Sequence, residues 1–82
     1  MITARQSRAA RALLGWTQET LADRALVSLT ALKRLESSHR AVYESTEDQV
    51  RRTLEANGIV FLSSDQGEGV MLVHAKGAHR KS

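Results

Sequence analysis

The sequence predicts a mainly α fold, four short helices followed by a C-terminal β-hairpin. Three observations carry that prediction. Between residues 17 and 36, apolar side chains recur three and four apart, so that each of two short segments gathers its apolar residues on one face. Residues 4–12 are rich in alanine, and the chain of 82 residues contains no proline, a composition that favours helix. After Gly58 the pattern changes to runs of consecutive apolar residues on either side of a polar, glycine-containing stretch. The length suggests one small domain with a modest core. We divide it into a helical domain at 1–58, a hairpin extension at 59–73 and a basic tail at 74–82, which its polar, aperiodic composition marks as disordered.

Thr3 opens the first helix, and Gln6 three residues on completes a capping-box pattern. Ala9, Ala10, Leu13 and Leu14 offer its buried face, and Gly15 ends it. Arg5, Arg8 and Arg11 are three apart. We read them as a solvated face, with a phosphate contact by one of them as the alternative. Trp16 precedes the next cap and Leu21 follows five residues later, the spacing of a hydrophobic staple. Thr17 caps the second helix, with Glu19 in its first turn, where negative charge suits the helix dipole. Leu21 and Ala25 face inward, and Ala22 permits close approach of the third helix. Val27 plugs the gap between the pair. Ser28 caps the third helix, where Leu32 and Leu35 face the core.

From 37 to 44 the chain reads as a loop containing His39 and Arg40. Thr46 and Gln49 suggest a second capping box, opening a helix that runs to about Asn57 and stops at Gly58. Its apolar stripe is Val50 and Leu54. Glu47 and Glu55 each stand four residues from Arg51, which suggests surface ion pairs worth tenths of a kcal/mol. The runs 59–62 and 70–73 then form the hairpin around a turn at 63–69. Both runs are apolar on consecutive residues, so both faces of the hairpin seek cover. One face suits the helices. The other face, or an edge, suits a second copy of the chain, and a homodimer through the hairpin is the expectation, with a hairpin that only finishes the monomer core as the alternative.

On the third helix Leu29, Thr30, Lys33 and Arg34 cannot share the inward face with Leu32 and Leu35. Two cations and a threonine therefore project from a short helix, an arrangement that fits the major groove of duplex DNA. The residues Gln18, Leu21-Ala22, Ala25, Val27-Ser28, Thr30, Leu32 and Leu35-Glu36, with the preceding Leu13-Leu14-Gly15-Trp16-Thr17-Gln18, resemble the helix-turn-helix of the phage Cro and repressor family of bacterial regulators. The resemblance covers about residues 5–40. It departs at Leu26 and Ser38, where the family usually has glycine. At Leu26 the family's turn favours positive φ, which a leucine adopts only at a cost. The run 54–61 also resembles the end of short members of the family. The resemblance implies a four-helix helix-turn-helix domain with its recognition helix at about 28–36. It also implies that Gln18 anchors the first helix of the pair to phosphate.

Charge distribution agrees with a polyanionic partner. The chain has a formal net charge of +3 and a pI near 10.0. Residues 1–41 carry seven Lys and Arg against three carboxylates, residues 42–73 carry two against six, and the tail adds three cations. There is no cysteine, hence no disulfide or thiolate metal site. His39, His74 and His79 lack metal-ligand spacing, and no nucleophile arrangement is present. No apolar run reaches membrane-spanning length. The expectation is therefore a cytoplasmic regulator, a repressor, without enzymatic activity or cofactor. Its partners are double-stranded DNA and a second copy, with no membrane. Leu29 is assigned to a thymine methyl and Thr30 to a base edge or backbone. Lys33 and Arg34 are assigned to guanine or phosphate. Thr17, Ser28, Ser37 and Arg40 are assigned to the backbone. The alternative is a protein-interaction module of the same fold, an antitoxin or adaptor, whose main partner binds the hairpin.

Overall fold

A computed structural model describes residues 1–37 and 42–74. Ser38, His39, Arg40 and the tail from Ala75, including His79, lie outside the described residues. The elements run α1 (Ala4–Leu14), α2 (Gln18–Ala25), α3 (Leu29–Glu36), α4 (Glu44–Ala56), β1 (Ile59–Ser64) and β2 (Gly67–Leu72).

Three of the helices start where a hydroxyl can accept from the first turn. The Thr3 side chain accepts from the Gln6 amide while the Gln6 side chain accepts from the Thr3 amide, so both halves of the capping box are made. Thr17 Oγ1 accepts from the Thr20 amide and Ser28 Oγ from the Ala31 amide, each at 3.0 Å. The fourth helix departs from expectation. It begins at Glu44, two residues before the Thr46 pattern, with Tyr43 at the N-cap and no side-chain cap bond. Glu44 and Glu47 in its first turn interact favourably with the helix dipole instead. Glu47 is itself buried, because its Oε2 accepts from the Ile2 amide at 2.9 Å. Arg51 accordingly pairs with Asp48 and Glu55 rather than with Glu47.

The core is one cluster. Leu21, Leu32, Val50 and Leu54 have no exposed surface and Ile59 almost none, and Ala10, Ala22, Ala25 and Leu35 pack with them. Trp16 and Val27 lie half-buried against this cluster, as expected. On α1 the inward face is shifted by one position. Gln6, Ser7 and Ala10 are buried and Leu14 packs on the core, whereas Ala9 and Leu13 are exposed. The helical step of about 100° cannot bring four residues so spaced to one narrow seam, and the 7–10–14 row wins.

β1 and β2 pair antiparallel from Ile59↔Leu72 to Ser64↔Gly67. The strands are thus longer, and the turn tighter, than composition suggests: only Asp65 and Gln66 remain in the loop. Ile59, Phe61, Val70 and Leu72 pack toward the helices. Gly58 is required where α4 enters β1. Its φ is +96°, and a Cβ there would lie 2.8 Å from the Val73 carbonyl oxygen. Gln6 holds the hairpin to α1, its Nε2 donating to the Leu62 and Gly69 carbonyls at 3.0 and 2.9 Å.

The turn between α2 and α3 keeps the left-handed conformation despite its leucine. Leu26 has φ 59° and ψ 40°, and its side chain is 82% exposed. It therefore carries backbone strain without burying surface in return. Leu26→Gly should raise stability by about 0.5–1 kcal/mol, the strain relieved outweighing the extra unfolded-state entropy of glycine. The urea midpoint should move up at unchanged slope, and a lower midpoint would refute the strain argument.

Candidate nucleic-acid interface

α3 is anchored on one side and free on the other. Leu32, Leu35 and Glu36 are buried, so Thr30, Lys33 and Arg34 are exposed together on the opposite side. At 1.5 Å per residue the eight residues of α3 span about 12 Å, close to the width of the major groove. Leu29 differs from the other three. It is half-buried and packs on the core, because it lies close in helical angle to the Leu32 side.

The remaining site residues have local tasks. Thr17 and Ser28 use their hydroxyl oxygens as cap acceptors, and Thr17 Oγ1 also lies 3.0 Å from Thr20 Oγ1. Ser37 is exposed at the end of α3, its Oγ donating to the Arg34 carbonyl at 3.2 Å. Gln18 is half-buried, and its Nε2 donates to Glu36 Oε1 at 3.1 Å. The first residue of α2 is thereby tied to the last residue of α3. Arg40 is outside the described residues.

Eight Lys and Arg residues are described, and their partners separate them. Arg5 pairs with Glu68 at 2.8 Å, Arg11 with Glu36 at 2.8 Å, Arg51 with Glu55 at 3.0 Å and Arg52 with Asp48 at 2.8 Å. Arg8 donates to the Glu36 carbonyl. Arg24 stacks over the Trp16 ring at 4.7 Å. Among the described residues, Lys33 and Arg34 make no ion pair. The one carboxylate of α3 is buried, so the outer face of this helix presents uncompensated positive charge. Beside it lies a cavity of about 320 Å³ whose lining includes Thr30, Arg34, Leu26 and Tyr43 and no carboxylate. Of the three-apart arginines of α1, Arg5 and Arg8 are exposed, as a solvated face requires, and Arg11 is half-buried against Glu36. Arg8 and Arg11 secure the end of α3.

Glu36 is the centre of that fastening. Its carboxylate accepts from Ser7 Oγ at 2.6 Å, from Arg11 at 2.8–3.0 Å and from Gln18. Burial pushes its pKa up, but the hydrogen bonds from Arg11, Ser7 and Gln18 and the Arg11 charge outweigh burial and hold it below the usual carboxylate value. Four elements meet at this group through α1, α2, α3 and the turn before α2, since Arg11 also donates to the Trp16 carbonyl at 3.2 Å. Sequence reasoning passed over Glu36 as a network centre, though one signal was present. It stands four residues after Leu32 and so shares the buried side of α3.

Among the described residues no group of three or more His, Cys, Asp or Glu could hold a metal ion, and no described helix is long and apolar enough to cross a membrane. Comparison with curated proteins gave no match. The family model described as helix-turn-helix matches residues 8–42, a span that runs from the middle of α1 through α2 and α3. The matched segment contains the two capped helices, the left-handed turn and the outward cations, and residues 8–42 are a helix-turn-helix of the Cro and repressor family of DNA-binding regulators.

Proposed function

We propose that this protein is a sequence-specific transcriptional regulator that inserts α3 into the major groove of duplex DNA. The observation that carries the reading is the outer face of α3, where Thr30, Lys33 and Arg34 are exposed and its cations unpaired while the other side of the helix is locked in the core. Arg34 and Lys33 suit guanine edges or phosphates, and Thr30 suits a base edge. The exposed part of Leu29 suits a thymine methyl. Thr17, Ser28, Ser37 and Arg40 suit the sugar-phosphate backbone. Gln18 would reach phosphate with the second N–H of the amide whose nitrogen already donates to Glu36. The protein acts in the cytoplasm as a repressor by occupying its site. It binds as a homodimer through the hairpin, reading two half-sites about 34–36 Å apart or a multiple of that distance. No catalytic step or cofactor enters this function.

Selection of bound fragments from random duplex DNA at near-physiological salt tests the reading. The wild type should enrich one motif in two symmetric halves. Thr30→Ala/Arg34→Ala should lose it, since each good base contact is worth about 1–3 kcal/mol of discrimination, while the fold remains intact. Enrichment of the same motif by the double variant would place recognition elsewhere. A second reading is favoured by the apolar outer face of the hairpin: an antitoxin or adaptor whose main partner is a protein. Salt-sensitive attraction without any enriched motif would turn the assignment to it.

A further inference from the structure

The hairpin is apolar on its outer face as well as on the face that packs against the helices. An antiparallel pair with one wet side normally alternates apolar inward and polar outward. Here the outward positions are Val60, Leu62 and Ser64 on β1 and Gly67, Gly69 and Met71 on β2, continued by Val73. None is charged. Val60, Leu62, Met71 and Val73 are 38–48% exposed. The acidic side chain of the strands, Glu68, points the other way, where it accepts from Thr3 Oγ1 and Arg5 Nε at 2.8 Å.

The open edge of β2 is a weaker candidate for a contact. The Val73 amide donates to the Gly58 carbonyl at 2.7 Å, which identifies that pair as hydrogen-bonded. By alternation, Met71–Val60 and Gly69–Leu62 are hydrogen-bonded too, and Val70 and Leu72 turn their amides outward. That edge begins at Glu68, which is engaged with α1, and α1 flanks it along a cavity lined by Arg5, Ala9 and Val70. The outer face has no such encumbrance.

We infer that the outer face of the hairpin packs against the same face of a second copy, with Leu62 of each chain seated over Gly69 of the other. This deepens the homodimer reading and rests on it. The face carries its own complement. Leu62 and Gly69 are direct cross-strand partners, so a projecting side chain and a hollow sit side by side. A Cβ built on Gly69 meets nothing but the Leu62 Cδ1 atom, at 4.0 Å. A two-fold axis running along the strands, midway between the two faces, lays β1 over the partner's β2 at the same level. Leu62 then fills the hollow above the partner's Gly69, and Val60 lies against the partner's Met71. The contact is isologous, each half repeating the other. Absence of charge on the face removes any like-charge repulsion that such self-pairing would otherwise incur. Seven face residues are fewer than the about 20–30 a side of a standard interface. The free dimer is therefore concentration-dependent, and simultaneous engagement of two half-sites strengthens it by effective concentration.

Sedimentation of the full chain over a concentration series, without DNA, tests the arrangement. Gly69→Leu fills the hollow and should weaken self-association at least about thirtyfold, the effect of losing one interface hot spot. Its circular dichroism and unfolding midpoint should stay near wild type, because a Cβ at this position makes only an ordinary van der Waals contact with Leu62 Cδ1 in the single chain. Leu62→Ala should weaken association in the same sense. Leu62→Ala/Gly69→Leu moves the projection to β2 and the hollow to β1, and should recover most of the lost affinity, which no purely structural role of either residue would produce. If both single variants associate like wild type, the face is not the contact, although a homodimer through another surface survives. If Gly69→Leu weakens association and the double variant does not restore it, the Leu62-over-Gly69 register is wrong. A wild type that stays monomeric throughout overturns the homodimer and this arrangement together.

Discussion

Arg11→Met should destabilise the protein by about 3–5 kcal/mol, the usual result of removing one partner of a buried ion pair. Glu36 has 2% of its side chain exposed and Arg11 19%, so the carboxylate left behind has little access to water. Ser7 and Gln18 would still donate to it, but neither carries charge. Methionine keeps much of the aliphatic volume, which makes the lost charge the main change. Domains of this size have a total stability of about 4–12 kcal/mol, so the variant should be partly unfolded or close to it. Urea denaturation followed by circular dichroism gives the number. A loss below about 1 kcal/mol would mean that the pair behaves like an exposed one. Glu36→Gln, by contrast, keeps a hydrogen-bonding group of the same shape and removes the buried charge, leaving Arg11 near the surface; it should lose less than Arg11→Met.

The same group sets a pH dependence whose sign follows from its lowered pKa. A carboxylate with a folded pKa below its unfolded value adds stability above the unfolded pKa. It loses that contribution as pH falls through the folded pKa. Wild type should therefore lose the Glu36 contribution as pH falls below the ordinary carboxylate range. In Arg11→Met the sign reverses. Burial without a cation raises the pKa of Glu36, so protonation relieves the folded state. The stability difference between the two proteins should thus narrow as pH falls from 7 toward about 4. A constant difference across that range would mean that Glu36 is not the group left exposed to the lost charge.

The contrast between Leu32 and Glu36 explains what could be read from the sequence. The inward positions of α2 and α3, the three hydroxyl caps and the hairpin all follow from local patterns, because spacing along one chain segment determines them. Thr30, Lys33 and Arg34 were legible for the same reason: once Leu32 and Leu35 face inward, geometry leaves these three outside. The Arg11–Glu36 pair joins residues 25 apart, and nothing local to either reveals the other. Equal spacing of Arg5, Arg8 and Arg11 suggested one common environment, yet one pairs with the hairpin and two with α3. Glu47 shows the same limit. Its helical neighbours offered Arg51, but the buried amide of Ile2 claimed it. Gln18 was placed by family resemblance, which named its role toward DNA and not the side chain that holds it.

Leu32→Ala should cost about 2–5 kcal/mol, the range for truncating a fully buried leucine. The side chain has no exposed surface and belongs to the central cluster with Leu21, Val50 and Leu54. Its position makes the variant informative about function as well as stability. Leu32 is the inward side of the helix whose outward side carries Thr30, Lys33 and Arg34, so its methyl groups fix how far α3 stands out from the domain. Affinity for the enriched DNA motif should fall even where the variant is still mostly folded, because α3 can settle toward the vacated volume and draw the reading residues back. Thr30→Ala/Arg34→Ala should behave oppositely, losing the motif with a stability changed by no more than about 0.5 kcal/mol, as surface substitutions do. The two variants thus separate the support of the helix from its chemistry. An unchanged midpoint for Leu32→Ala would contradict the buried position of Leu32. A midpoint lowered as expected, with full affinity retained by the folded fraction, would mean that Leu35, Glu36 and the Ser28 cap hold α3 in place without it.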